Sequence, residues 1–183
     1  LSAWLTLAGQ KLTGVGTSKK FYLEQGGVYY DVTPIRATTT NAATFAATNG
    51  FTTLTVTDNT HGAAVGDFVT FSSAVSLGGT ITADVLNQEY EIATVPSVNT
   101  YTITSSVAAN GSDSSNGGSA TDAAYQISIG SDSAVPLNGW NAGTYGEGTW
   151  NNGGSSTVSL RTWTQSNFGE DLIFGPKRGQ IFQ

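Results

Sequence analysis

A chain of 183 residues that is 38% hydrophobic and 10% aromatic can bury a core, which excludes disorder throughout, while 11% charged residues leave a formal net charge of −6. The absence of cysteine excludes a disulfide framework, a thiolate metal site and a cysteine nucleophile. Twenty-three glycines among abundant Thr, Ser and Asn favour strands and turns over helices, and no stretch approaches the roughly 20 apolar residues of a membrane-spanning segment.

The opening Leu1-Ser2-Ala3-Trp4 has no initiator methionine and no signal-peptide pattern, so it reads as the start of a processed or partial chain. Four short strands are expected next, at Trp4–Leu7, Lys11–Gly16, Phe21–Glu24 and Val28–Val32, separated by Gly- and Ser-containing turns. Together they form a four-stranded meander. An Ala/Thr connector over Ala37–Thr44 leads to strands at Phe51–Thr57, Phe68–Phe71, Gln88–Val95 and Thr100–Thr104. Asn110–Ser119 is a flexible loop by composition, and Tyr125–Ile129 is a last alternating strand of this region. Leu160–Thr164 supplies a further strand, with Ser166–Gly169 as a turn. The closing Leu172-Ile173-Phe174, Gly175–Gly179 and Ile181-Phe182 repeat the hairpin form of Phe21–Asp31.

A four-stranded sheet cannot bury both faces alone, so recurrence of the unit predicts side-by-side blades of the β-propeller type. Two blades cannot close a ring, and the remaining blades are expected in sequence beyond this chain or in another polypeptide. Charge supports a division into bodies: residues 37–138 hold eight carboxylates and no basic residue, whereas the flanks hold seven basic and five acidic residues. The expected fold is therefore all-β, with a first propeller-type blade at 1–36, an inserted acidic antiparallel β-barrel or sandwich at 37–138, and a Trp/Gly-rich segment with the start of the next blade at 139–183.

Candidate chemistry is sparse. His61, the single histidine, lies in a Thr-His-Gly turn where local hydrogen bonding explains it better than a Ser-His-Asp triad does. His61 with Asp58 and Asp67 matches no standard zinc pattern. Asp113-Ser114-Ser115-Asn116-Gly117 lacks the register and closing glutamate of a calcium loop. Glu170 and Asp171 are neighbours that a strand would point to opposite faces, whereas glycosidase chemistry needs two carboxyls flanking one bond. No catalytic residue, metal site or cofactor is assigned. Trp140, Tyr145 and Trp150 recur every five residues in a Gly-rich frame, and with Trp163 they are candidate interface anchors, since large rings bury much area at small entropic cost. Lys19, Lys20, Lys177 and Arg178 sit at expected hairpin turns, a thin footprint for facing DNA in a chain of pI about 4.4.

The string "THGAAVGDFVTFSSA...LNQEYEIATVPSVNTYTI" resembles small β-modules of phage structural proteins, of the kind described as similar to the first catalytic cysteine half-domain of ubiquitin-activating enzymes. "GTSKKFYLEQGGVYYDVTPIR" and "WTQSNFGEDLIFGPKRGQIF" resemble tailed-phage virion proteins with propeller folds, including nozzle or hub proteins of short-tailed phages. The resemblance implies a non-enzymatic virion component of the neck or tail. Implied partners are portal, adaptor and tail proteins, with a homo-oligomeric ring and transient DNA passage. The other reading is a host-surface glycan-binding module of a tail fibre or spike using Trp140, Tyr145 and Trp150; a depolymerase would need an acid/base pair the sequence does not identify.

Overall fold

A computed structural model describes residues 2–118, 120–131 and 160–183, which form an all-β fold of four antiparallel sheets with one single-turn helix. The chain divides into two units, Leu1–Thr33 with Ile129–Gln183, and Pro34–Ser128. All six basic and six acidic residues outside Pro34–Ser128 cancel, so the net −6 of the chain resides in the second unit, with seven carboxylates against Arg36.

The first unit opens on the expected meander: β1 (Ser2–Leu5), β2 (Lys11–Gly16), β3 (Phe21–Gln25) and β4 (Val28–Asp31) pair in that order. Gly26 and Gly27 turn β3 into β4 at φ +61° and +88°, a left-handed pair that suits a two-residue hairpin and that bulkier residues resist.

The second unit runs β5 (Ile35–Thr39), β6 (Thr44–Ala47), β7 (Thr53–Thr57), β8 (Phe68–Ser72), α1 (Ala83–Leu86), β9 (Glu89–Glu91), β10 (Thr94–Ser97), β11 (Thr100–Thr104), β12 (Asp113–Asn116) and β13 (Asp122–Gln126). One sheet has the order β10-β11-β7-β6-β12 and the other β5-β13-β8-β9. Period-2 alternation drives both. Phe45, Leu54, Val56, Tyr101 and Ile103 of the first sheet and Val69, Phe71, Tyr90, Ala123 and Tyr125 of the second are buried in one cluster. The Phe45 and Phe71 rings meet edge-on across it at 4.9 Å. The helix begins where the Thr82 hydroxyl accepts from Val85 N–H at 3.3 Å, and it contributes Leu86 to the core.

Two expectations are corrected here. The Ala/Thr connector is partly strand β5, paired with β13, and the Asn110–Ser119 loop contains β12, paired with β6 through Asp113–Ala47 and Asn116–Phe45. Both are edge strands. They are held by backbone hydrogen bonds to one neighbour, so their own side chains carry no apolar alternation to read.

The chain then returns to the first unit with β14 (Trp163–Phe168) and β15 (Asp171–Pro176). The turn lies at Gly169-Glu170, with Gly169 at φ +65°, so β14 runs through Ser166–Phe168, where a turn is expected from sequence. The repeat hairpin expected around Gly175–Gly179 is reduced to one bridge, in which Phe174 and Phe182 exchange N–H···O bonds of 3.0 and 2.7 Å. Among the described residues no closed barrel forms; the strands make four separate sheets.

The hairpin packs on the meander through a glycine track. Gly14 and Gly16 on β2 share a face with Phe21 and Leu23 of β3, and the side chains of Gln165 and Trp163 occupy the space a Cβ would need at Gly14 and Gly16 respectively. Replacing Gly16 with Val is expected to collide with the Trp163 indole and to lower the unfolding midpoint of the first unit. Differential scanning calorimetry with limited proteolysis of the flanks checks this; an unchanged midpoint and cleavage pattern would remove the packing role assigned to Gly16.

Candidate interaction surfaces

The seam between meander and hairpin is built from three rings. Phe21 is fully buried, stacks on Phe174 at 4.3 Å and meets Trp163 at 5.0 Å. Strand pairing places these groups together: Gln165 faces Phe174 across β14–β15, Trp163 stands two residues along on the same face, and Gly16 faces Phe21 across β2–β3. Trp163 Nε1 donates to Thr17 O at 2.7 Å, and Gln165 Nε2 to Gly14 O at 3.0 Å. Trp163, expected as an anchor for a neighbour, thus has a role within its own unit. Trp140, Tyr145 and Trp150 lie outside the described residues.

The outer edge of the meander is different in kind. Every residue of β4 is exposed, with Val28 at 52%, Tyr29 at 62% and Tyr30 at 51%. Tyr30 lies on the face of Leu23, Tyr29 on the opposite face, where it meets Tyr22 edge-on at 6.4 Å. An edge strand that pairs with one neighbour among the described residues and carries large apolar side chains on both faces is a candidate surface for another chain. Sequence reasoning missed it as a site; the signal was Val-Tyr-Tyr directly after a Gly-Gly turn, apolar without alternation.

The basic turn residues do not behave alike. Lys19 is exposed, but Lys20 is 6% exposed, and its Nζ donates to Asp31 Oδ2 at 2.6 Å. The expectation that Lys20 projects from a turn is therefore corrected: its ammonium is spent inside the meander. Burial pushes the Asp31 carboxyl up, but hydrogen bonds from Lys20 and Thr33 and the ammonium charge outweigh it and leave the group below its ordinary value. Lys177 and Arg178 are exposed on the turn closed by Gly179 N–H donating to Pro176 O at 2.8 Å. Glu170 Oε1 accepts from Leu7 N–H at 2.5 Å and Asp171 Oδ2 from Gln183 Nε2 at 3.1 Å, so both carboxylates have local structural partners.

The second unit gathers His61, Asp58 and Asp67 around a buried polar network. His61 Nδ1 accepts from Ala63 N–H at 3.1 Å, which leaves Nε2 as the donor to Ser97 O at 3.3 Å, and the ring lies 4.9 Å from that of Tyr101. Both ring nitrogens are used in turn geometry. Tyr125 Oη donates to Asp58 Oδ2 at 2.6 Å and Thr39 Oγ1 donates to the same oxygen at 2.5 Å, while the Tyr101 and Tyr125 hydroxyls are 3.0 Å apart. Burial, the neighbouring hydroxyl and the Asp58 charge push the Tyr125 phenol far above its ordinary value; burial, opposed by the hydrogen bond shared with Tyr125, and then the Asp58 charge raise Tyr101. Neither ionises in working solution. Arg36 completes the cluster, its guanidinium 5.4 Å over the Tyr125 ring and 3.9 Å from Asp67 Oδ2, which also accepts from Ala64 N–H. Among the described residues no three His, Asp or Glu side chains gather as a metal ligand set. Asp113 Oδ1 accepts from Ser114 N–H and Asn116 Nδ2, local bonds within its own edge strand.

No family model matches the sequence, and no curated protein matches it. Among solved structures the chain is similar to the Phage phi92 endosialidase, at a TM-score of 0.43 and 18% identity over 64% of this chain; the similarity spans 19% of that protein's length.

Two outcomes test the networks. Tyr125→Phe withdraws a donor from a carboxylate that is 1% exposed and is expected to cost about 1.5–3 kcal/mol, the scale of a hydrogen bond to a charged group. Denaturant unfolding of the full chain measures it, and a loss under about 0.5 kcal/mol would dismiss the network as a stabilising element. Because the folded Asp31 lies below its unfolded value, its contribution is present above about pH 4 and is lost as pH falls through that range. Asp31→Asn is therefore expected to be destabilised at pH 7 and to converge on the parent below about pH 3; parallel melting curves at all pH values would contradict this.

Proposed function

We propose that this chain is a structural component of a bacteriophage virion, working in the tail or neck by rigid assembly with further copies of itself and with portal, adaptor or tail proteins. The observation that carries the reading is an imbalance in the first unit. Among its described residues the buried hydrophobic side chains are Phe21 and Phe174, whereas Leu5, Leu7, Val28, Tyr29, Tyr30, Leu160, Phe168 and Ile181 are exposed. A core that small is marginal by itself, and neighbours that cover the exposed groups would supply the missing burial.

The likeness of the flanking strings to nozzle and hub proteins, together with face-to-face packing of meander and hairpin, supports propeller-type blades completed by other segments or chains. A four-stranded sheet whose outer strands each pair with one neighbour among the described residues suits head-to-tail contacts, which close into a ring where the rotation between copies returns to its start. In that ring the acidic second unit acts as an insert whose charge discourages nonspecific adhesion, and passing DNA meets few cations.

Copies meeting through β4 predict that the Tyr29→Ser, Tyr30→Ser double variant shifts association to at least about tenfold higher concentration, since each ring buries substantial area. Mass photometry and light scattering across a dilution series read this. A parent chain that stays monomeric at every concentration, alone and with purified tail components, would overturn the proposal.

A further inference from the structure

Three of the seven basic residues converge on one cleft of the first unit. Arg161, Lys177 and Arg178 line a depression of about 380 Å3, walled by Gly130, Ser131 and Leu160, and they are the charged groups among its lining residues. We propose that this cleft binds a single compact oxyanion, a phosphate or a carboxylate, a property separate from assembly through β4.

The walls are fixed by backbone hydrogen bonds. Gly130 N–H donates to Ser18 O at 2.9 Å, Arg161 N–H to Ser131 O at 2.9 Å and Lys177 N–H to Thr162 O at 2.8 Å. Gly130 has an evident reason to be glycine: a Cβ there would overlap the Arg161 side chain, which lies across it. The Arg161 guanidinium is 5.7 Å over the Trp163 ring, so the seam holds this cation from behind. Arg178 adds an independent sign. It adopts φ +70° at the third position of its turn, a conformation that favours glycine and costs a long side chain about 1 kcal/mol or more. Among the described residues neither the Lys177 nor the Arg178 side chain has an ion-pair partner. Two arginines and a lysine lining one cleft offer the forked donors that phosphate and carboxylate accept in pairs.

The observations favour a compact group over duplex DNA. A duplex demands cations spread along a stripe, whereas these three share one cleft on a chain of net charge −6. A phosphate ester or an acidic sugar would present the same oxygens.

The full chain is titrated with inorganic phosphate, with an oligogalacturonate and with a 20-base-pair duplex, monitored by amide chemical shifts and calorimetry. Saturable binding of phosphate or oligogalacturonate is expected, with shifts at residues 129–131, 160–162 and 176–179, and the tighter of the two identifies the source of the oxyanion. Arg161→Gln and Arg178→Gln should each weaken it at least about tenfold, and Lys19→Gln should leave it unchanged. Arg178→Gly separates binding from folding: it relieves the left-handed strain, so Tm should rise while affinity falls. Saturation by neither small anion, equal affinity in the Arg178 variants, or exclusive binding to duplex with a steep salt dependence would each overturn the assignment.

Discussion

The first unit depends on a single contact, the stacking of Phe174 on Phe21 with Trp163 closing over both. A meander buries one face only when something covers it, and here the cover arrives from residues 142 positions away along the chain, as the interval from Phe21 to Trp163. Closing so long a loop costs entropy that grows slowly with length, so the intervening residues are tolerated provided the contact itself is good. Glycine makes it good. With no Cβ at Gly14 and Gly16, the backbone of β2 comes close enough for Trp163 and Gln165 to rest on it and hydrogen-bond to the strand and the turn after it.

The second unit solves the same problem differently. Its two sheets contribute alternating side chains to one cluster that includes Phe45, Leu54, Tyr101 and Tyr125, a core many times larger than the pair of buried phenylalanines in the first unit. It can therefore accommodate buried polar groups. Asp58, 1% exposed, accepts two hydroxyls on Oδ2 while its Oδ1 is buried without a hydrogen-bond partner among the described residues, and Asp67 is faced by a backbone amide and Arg36. Between these two carboxylates in sequence, His61 Nδ1 accepts from Ala63 N–H and Nε2 donates to Ser97 O. The single histidine, the residue that most invites a catalytic reading, is thereby accounted for as a turn-former with both nitrogens engaged.

Legibility in the sequence followed side-chain period. The meander strands and β7, β8 and β11 were readable because apolar residues alternate or cluster between Gly-containing turns, as in Leu54-Thr55-Val56 and Tyr101-Thr102-Ile103. β5 and β12 were not, since an edge strand written Ile-Arg-Ala-Thr-Thr or Asp-Ser-Ser-Asn depends on its neighbour's backbone. The Ser166–Gly169 turn begins earlier in the sequence reading than in the structure because Ser and Asn signal a reversal there, whereas Ser166–Phe168 pair with β15 and the chain turns at Gly169; the Gly175–Gly179 reversal is legible but closes on the single Phe174–Phe182 bridge. Of the candidate sites, the charge of Lys177 and Arg178 was visible, but Arg161 joins them through tertiary folding, and Lys20 leaves the set because Asp31, eleven residues on, takes its proton donors.

The seam also explains why edge and cleft coexist in so small a unit. Committing Phe21, Phe174 and Trp163 to one side of the meander leaves β4 beyond the reach of the two-stranded hairpin, so its tyrosines stay uncovered. The same commitment turns the outer side of Trp163 toward Arg161, and the residues that lead into and out of the hairpin, Arg161 and Lys177–Arg178, are brought to one end of it by the pairing of Trp163 with Pro176. Positive charge thus collects at the open end of β14–β15 as a consequence of register. A shift of that register by one residue would turn the β14 side chains, Trp163 and Gln165 among them, away from the face that Phe174 shares, dispersing the seam.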